Sequence, residues 1–590
     1  MRGGSWGDSS GIQKFINGVH CIYVIFKKGF EMRKPRNFDD RSRSLCVLAA
    51  LVALEGCGPG SPPAPLVASS GQVRLAVASA MSMYAASRAT DQVSFGATPA
   101  LVADIRRAGL ATWLDSQMAL PVSAILTPNL YINYDLNDQL ASQAAYNFAQ
   151  ESFFDRALNA PDQLRQRVAW SLFQYIPVNG KVQPYGMLEF YNVLMSSAFG
   201  NYRDLLRDIT LQPSMGFFLD NISNRPVSEG CFGCAPNENY ARELLQLFTL
   251  GVVQLGADGT VVRDANGKPK ETYTQKDVED LARALTGWET VQRAPGDTSS
   301  SNWANYGKNL VPAQWAPAHD RNAKTVMGTM FPAGREAPAE LETILDMLMA
   351  HPNIAPFVSL RLIQHLVTSD PSPQYLGRVA AVFRNNGQGV AGDMKAVIRT
   401  ILLDPEARAG DLPNGSAARF GKLREPVLHY TATLRGLGCT QPLRWQDGNR
   451  TGVISPGNQK PLDPSSVFSY YLPTDRAPGS NLLAPEQKLL AANEITDRLG
   501  RLPWNLATEP QRALNAAAGC QVALLGQAFT KSPTAFIDIV SERWFRGAMP
   551  PTLRSNLLAL AQSQNYGSAD MTAMNLVQFA LITPYFGAIQ

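Results

Sequence analysis

The chain has 590 residues, 45% of them hydrophobic, with 53 lysines and arginines against 49 aspartates and glutamates. Nine of the basic and five of the acidic residues precede Cys57, so 44 of each remain from Cys57 to Gln590. That later part is formally neutral and has no Lys/Arg-rich run. It lacks the basic field that draws proteins to nucleic acid, which argues against that class of partner. It is long and apolar enough to bury more than one core's worth of surface, and no apolar run in it is long enough to span a bilayer.

Residues 1–31 precede a complete export signal that opens at Met32, the expected start of the chain. Arg33, Lys34, Arg36, Arg41 and Arg43 form a basic region, and Leu45 to Leu54 is an apolar run the size of a signal-peptide core. Leu54-Glu55-Gly56-Cys57 resembles a lipobox, in which a small residue precedes a cysteine that receives diacylglycerol; Glu55 departs from that pattern. The expectation is a lipoprotein signal peptide over 32–56, cleaved before Cys57, with the membrane reached through lipid on that cysteine. An ordinary signal peptide with a cysteine near its end is the alternative. The Pro/Gly/Ser-rich stretch 57–79 reads as a flexible tether. Gly58 is not the aspartate that retains many Gram-negative lipoproteins at the inner membrane, which points to the outer membrane, facing the periplasm.

Residues 80–590 read as a mainly all-α body with a small inserted β-hairpin and long irregular loops. Leu164, Val168, Leu172, Tyr175 and Ile176 form one helical stripe. Residues 252–273 carry the turn dipeptides Asp258-Gly259 and Asn266-Gly267 among β-branched residues and predict a hairpin between two helices. Val278, Leu281, Ala282 and Leu285 form the next stripe, opened by a Thr274–Asp277 capping box. Residues 289–320 read as an irregular loop. Leu341, Ile344, Leu345, Leu348 and Met349 follow, ending at His351-Pro352, where an imidazolium favours the helix dipole. His365 shares a stripe with Val358 and Leu362 and reads as a core histidine. Met394, Val397, Ile398, Ile401 and Leu402 run from an Asp393 cap to an Asp404-Pro405 stop. Four cysteines follow Cys57: Cys231, Cys234, Cys439 and Cys520. An even number in an oxidising compartment suits disulfides, and Cys231–Cys234 with Cys439–Cys520 is one of three connectivities.

One segment stands out: Pro236-Asn237-Glu238-Asn239-Tyr240-Ala241-Arg242-Glu243-Leu244-Leu245-Gln246-Leu247-Phe248-Thr249-Leu250-Gly251. It resembles the signature of the bacterial family catalogued as domain of unknown function 1800. Ser94 to Thr98, Trp113-Leu114, Arg167 to Leu172, Tyr273 to Val278, Ala284 to Trp288, His319-Asp320 with Lys324, and Pro464 to Phe468 agree in the family's order. The likeness covers roughly residues 80–590. It implies an exported protein, with an exported sulfatase-like family as a possible partner, and it implies no activity.

The candidate site residues come from these segments. Glu238 and Arg242 are an i, i+4 pair in the favourable order. Asn239, Arg242, Glu243 and Gln246 fall on one polar face, opposite Tyr240, Leu244, Leu247 and Phe248. Read as function, Glu238, Arg242 and Glu243 are a carboxylate–arginine cluster, with Asn237 and Asn239 as ligand-binding candidates. Read as structure, they are a solvated face or an ion-pair network between helices. His319, Asp320 and Lys324 could serve acid–base work or anchor a loop. No zinc-protease, P-loop, dinucleotide or nucleophile-elbow motif occurs, and no metal or cofactor is indicated. The expected function is that of a lipid-anchored envelope scaffold or partner protein. The alternative is a hydrolase or metal-dependent enzyme acting on envelope or extracellular polymers through the Glu/Arg/His/Asp residues.

Overall fold

Side-chain caps and prolines set where the helices begin. Thr98 accepts from the Leu101 amide at 3.2 Å and Pro99 follows it. Asp393 accepts from Ala396 at 3.1 Å, and Ser372, Ser532 and Ser568 cap in the same way. The computed structural model describes residues 81–589 apart from 128–138, 181, 183, 228–234, 292–305, 315–316, 414–419, 449, 491–501 and 564–565. The expected export signal, Cys57, the expected tether, Cys231 and Cys234 lie outside these residues. One compact unit runs from Val77 to Gln590.

The helices used below are α1 (Met83–Val93), α2 (Pro99–Ala108), α3 (Leu110–Met118), α4 (Gln139–Asn159), α5 (Gln163–Phe173), α6 (Pro184–Ser197) and α7 (Tyr202–Leu211). After them come α8 (Asn239–Glu243), α9 (Gln275–Ala284), α10 (Ala337–Ala350), α11 (Ile354–Leu366), α12 (Pro373–Arg384), α13 (Met394–Leu403) and α14 (Pro426–Gly436). The last four are α15 (Val522–Lys531), α16 (Pro533–Trp544), α17 (Pro551–Ser563) and α18 (Ala569–Leu581). No helix among the described residues is long and apolar enough to cross a membrane. The fold is mainly all-α, with small antiparallel pairs: β1 (Trp288–Glu289) with β2 (Val311–Pro312), β3 (Lys324–Val326) with β4 (Thr329–Phe331), and β6 (Arg444–Asp447) with β7 (Arg450–Val453). β5 (Lys422–Leu423) pairs with β8 (Ala588–Ile589) across most of the C-terminal third.

Two buried apolar clusters fill the body. The larger takes in α1 to α13; the smaller is built by α15 to α18 around Phe536, Trp544 and Val577. α14 belongs to both, giving Val427 and Leu428 to the first and Ala432 and Leu434 to the second. Cys439 and Cys520 form a disulfide that ties the segment after α14 to the one before α15.

The insert at 252–273 differs from the single hairpin expected. Both turn dipeptides fold, so the chain doubles back twice, with bridges Val253–Glu271, Leu255–Val261 and Arg263–Pro269. Asn353 pins the ribbon to α11, donating to the Leu250 and Val253 carbonyls at 3.0 and 2.8 Å and accepting from the Leu255 amide at 2.8 Å. His351 ends α10 as predicted, but the dipole argument fails there. Burial pushes its imidazole down, and Nδ1 accepts from the Asn353 amide, which requires a lone pair.

Candidate functional site

The signature segment enters on an asparagine clamp. Asn224 accepts from the Asn237 amide at 2.7 Å and donates to the Asn237 carbonyl at 3.3 Å. Asn237 Oδ1 accepts from the Asn239 amide, and Asn239 donates to Asp220 at 3.1 Å. Arg242 donates to Glu238 at 2.7 Å and to Gln275 at 3.1 Å, while Gln275 donates to Glu238 at 2.9 Å, closing a triangle between α8 and the first turn of α9.

A regular helix to Gly251 was expected; instead the turn from Leu244 to Thr249 is a π-helix. The Leu250 amide reaches back to the Leu245 carbonyl at 2.9 Å. A wider turn shifts the faces, and such turns are frequent at functional sites. Glu243 leaves the polar face and is buried, 7% exposed, with Oε2 unpartnered among the described residues. Burial pushes its carboxyl up and outweighs the opposing pull of Arg242. Leu247 turns out to half-exposure, and Gly251 closes the turn at φ +74°. A Cβ on Gly251 would stand 2.7 Å from the Phe357 ring, so only glycine lets α11 pack this closely.

His319, Asp320 and Lys324 gather at the other end of α9. Arg283 grips Asp320 with Nε at 2.7 Å and Nη2 at 3.3 Å. Burial alone would raise the Asp320 carboxyl, but Arg283 and the Asn322 amide outweigh it and hold it low. His319 Nδ1 lies 2.9 Å from the Thr286 carbonyl, which can only accept, so Nδ1 carries the proton. Lys324 is fully buried and donates to both oxygens of Glu340 at 2.8 Å and to the Asp320 carbonyl at 2.7 Å. Glu340 Oε2 also lies 3.4 Å from His319 Nε2. Sequence reasoning missed Glu340. In the first turn of α10 it looks like a dipole-favouring acid, and only the chain path reveals a buried lysine opposite it. A cavity of about 360 Å3, lined in part by Pro226, Gly287, Pro312, His319 and Asp320, opens beside this group.

The candidates therefore form two groups. Gln275 holds one at the start of α9, and Arg283, eight residues on and roughly 12 Å along the axis, holds the other. No hydrogen bond among the described residues joins Glu238, Arg242 or Glu243 to His319, Asp320 or Lys324. A thin bridge runs between them: Asn237 to Asn224, then the Asn224 carbonyl to the Gly287 amide at 3.0 Å, with His319 packed on Gly287.

A third polar centre, which sequence reasoning did not find, lies under α5, α11 and β5. Lys422 donates to Glu425 at 2.8 Å and to the Gln364 and His365 carbonyls, and stands 3.4 Å from Glu486. Gln459 and Ser369 donate to the remaining carboxylate oxygens. Burial, assisted by Lys422, pushes His365 down to about 3, and it is the core histidine expected. Burial would raise Glu425, but Lys422 and its neighbours bring it to about 2. Burial wins at Glu486, whose carboxyl rises. Arg361 on α11 borders this centre, donating to Gln364 at 2.7 Å and lying over the Phe357 ring.

The model of a family described as Protein of unknown function (DUF1800) matches residues 88–588. The chain belongs to the DUF1800 family. No curated protein and no solved structure matches it. In this DUF1800 chain the segments that carry the resemblance are spread along the sequence but meet in space. Leu247 from the π-turn, Val467 and Phe468 share one cavity wall, and Arg167 donates to the His365 carbonyl beneath it. Among the described residues, no group of three His, Cys, Asp or Glu could hold a metal ion.

Proposed function

We propose that this DUF1800 protein is exported, held at the outer membrane by diacylglycerol on Cys57, and serves as a helical scaffold for another exported protein, a member of the sulfatase-like family being the first candidate. The observation that carries the reading is the order of Arg33 to Arg43, Leu45 to Leu54, and Gly56-Cys57. The Cys439–Cys520 disulfide supports an oxidising compartment. The scaffold role is supported by the candidate ionic side chains themselves. Glu238, Arg242, Asp320 and Lys324 are each engaged by neighbours within the fold.

The test is metabolic labelling of expressing bacteria with an alkyne fatty acid. The wild-type chain should take the label and shift to a shorter, membrane-bound form; Cys57→Ala should do neither. Equal labelling of both, or of neither, overturns the anchor. Cross-linking in intact envelopes should recover one exported partner at about equal stoichiometry, and the scaffold role falls if none is recovered.

A further inference from the structure

Among the described residues, the buried arginines are answered by a carboxylate or by backbone carbonyls, Arg165 and Arg167 included, and Arg361 is the exception. Arg88 meets Asp411 at 2.9 Å, and Arg424 and Arg546 meet Asp91 at 2.9 and 3.0 Å. Arg435 has no carboxylate but donates to three backbone carbonyls at 2.8 to 3.1 Å. Arg361 has neither. It is 7% exposed, its hydrogen bond runs to a neutral amide at 2.7 Å, and its Nε has no partner. No carboxylate among the described residues stands within ion-pair distance of it. Burial pushes its guanidinium down only to about 10, so it is a cation at neutral pH. The Phe357 ring face, 5.1 Å away, offsets part of the charge. A buried ion without a counter-ion costs several kcal/mol, and structures rarely leave one so.

Arg361 lines a cavity of about 30 Å3, room for about two water-sized atoms. The other unmatched groups in its wall are Gln174 and the Tyr175 hydroxyl. Gln174 Oε1 accepts from the Tyr471 hydroxyl at 3.1 Å and from Gln459 at 3.4 Å, and its Nε2 has no partner. Arg361 Nε and Gln174 Nε2 can only donate, the Tyr175 hydroxyl can donate or accept, and one of the three carries a positive charge. His365 and Tyr471 complete the floor, and burial keeps His365 neutral, so the site's charge is a single positive one. The rim is apolar: Leu247, Phe357, Val467, Pro473 and Phe468, the last 39% exposed and marking the way to solvent.

We propose that this cavity binds a monocarboxylate, its two oxygens on Arg361 and Gln174 and any carbon chain leaving past Leu247 and Phe468. The guanidinium fork matches a carboxylate in plane. One charge fits one buried cation, whereas a phosphate or sulfate dianion would leave a negative charge unmatched. Two sources share the chemistry: a free small acid, and the carboxylate end of a longer chain. The inference is independent of the anchor at Cys57.

The test uses the full chain in detergent, titrated with acetate, hexanoate and neutral acetamide at constant ionic strength. Thermal shift and calorimetry provide the readouts. Acetate and hexanoate should raise Tm and bind; acetamide should not. Tighter binding of hexanoate identifies a chain end as the source, and tighter binding of acetate a free acid. Arg361→Gln should abolish binding, and Gln174→Leu should weaken it about tenfold or more. Should Arg361→Gln fail to fold, Gln174→Leu and the acetamide comparison still decide. The proposal is overturned by no carboxylate-dependent shift in the wild type, by an equal shift with acetamide, or by unchanged affinity in Gln174→Leu.

Discussion

Lys324 and Glu340 show what a buried ion pair does for a single residue. Neither side chain is exposed, and Lys324 uses all three of its donors on Glu340 and the Asp320 carbonyl. The attraction largely repays desolvation, so the pair adds little net stability while breaking it is expensive. Lys324→Met is expected to lose roughly 3–5 kcal/mol of stability in urea unfolding, because Glu340 is left buried without its lysine. Lys324→Met combined with Glu340→Leu should recover most of that loss. A double variant no more stable than the single one would mean that the pair is not the origin of the cost. His319, packed against the same carboxylate, has its Nδ1 proton held by Thr286. That bond fixes the orientation of its ring beside the cavity.

Among the elements, the π-turn at Leu244–Thr249 changes the most. It turns Leu247 out to half-exposure and ends at Gly251, against Phe357, the ring under Arg361. Gly251→Ala should cost more than the roughly 1–2 kcal/mol of a left-handed alanine, because the Phe357 ring must also move. Gly267→Ala is the control: φ is +77° there, with nothing within 4 Å of the added Cβ, so it should show the backbone cost alone. Equal losses in chemical unfolding would remove the Phe357 contact from the explanation. Much at this scale was legible in the sequence. The Thr274–Asp277 box, the Asp393 cap, the Asp404-Pro405 stop and the turn dipeptides all work locally, and all are present. What was not legible depends on partners far along the chain. A helical wheel assumes 3.6 residues per turn and so misplaces Leu247. Arg361 reads as a charge on an apolar helix until the fold shows that nothing answers it. Glu340, Glu425 and Glu486 acquire roles only when Lys324 and Lys422 arrive beside them.

The whole molecule should be sensitive to acid, and the sign follows from its ionic centre. Unfolded, His365 takes a proton near 6.5, whereas folded it resists until about 3. Glu425 stays ionised to about 2 in the fold against 4.5 when exposed. Between those values the unfolded chain binds more protons than the native one, so stability falls as pH falls from 6.5. Each such proton weakens the fold by up to about 1.4 kcal/mol per pH unit. Glu486, raised by burial, opposes part of this below neutrality. Urea midpoints should therefore drop steadily on acidification, and His365→Gln should flatten the curve between 6.5 and 4.5. A level midpoint across that range in the wild type would contradict the assignment.

The β5–β8 pair gives the fold an order in time. Ile589 sits opposite Lys422, Arg424 donates to the Phe586 carbonyl, and its partner Asp91 lies 333 residues earlier. A chain made from its N-terminus therefore cannot form this pair until residues 588 and 589 have emerged. Asp91 waits 333 residues for Arg424 and 455 for Arg546. A chain cut before residue 588 would keep most of both apolar cores yet lack the strand that pairs with Lys422. The closing pair thus comes late in folding, after the helices it fastens have been made.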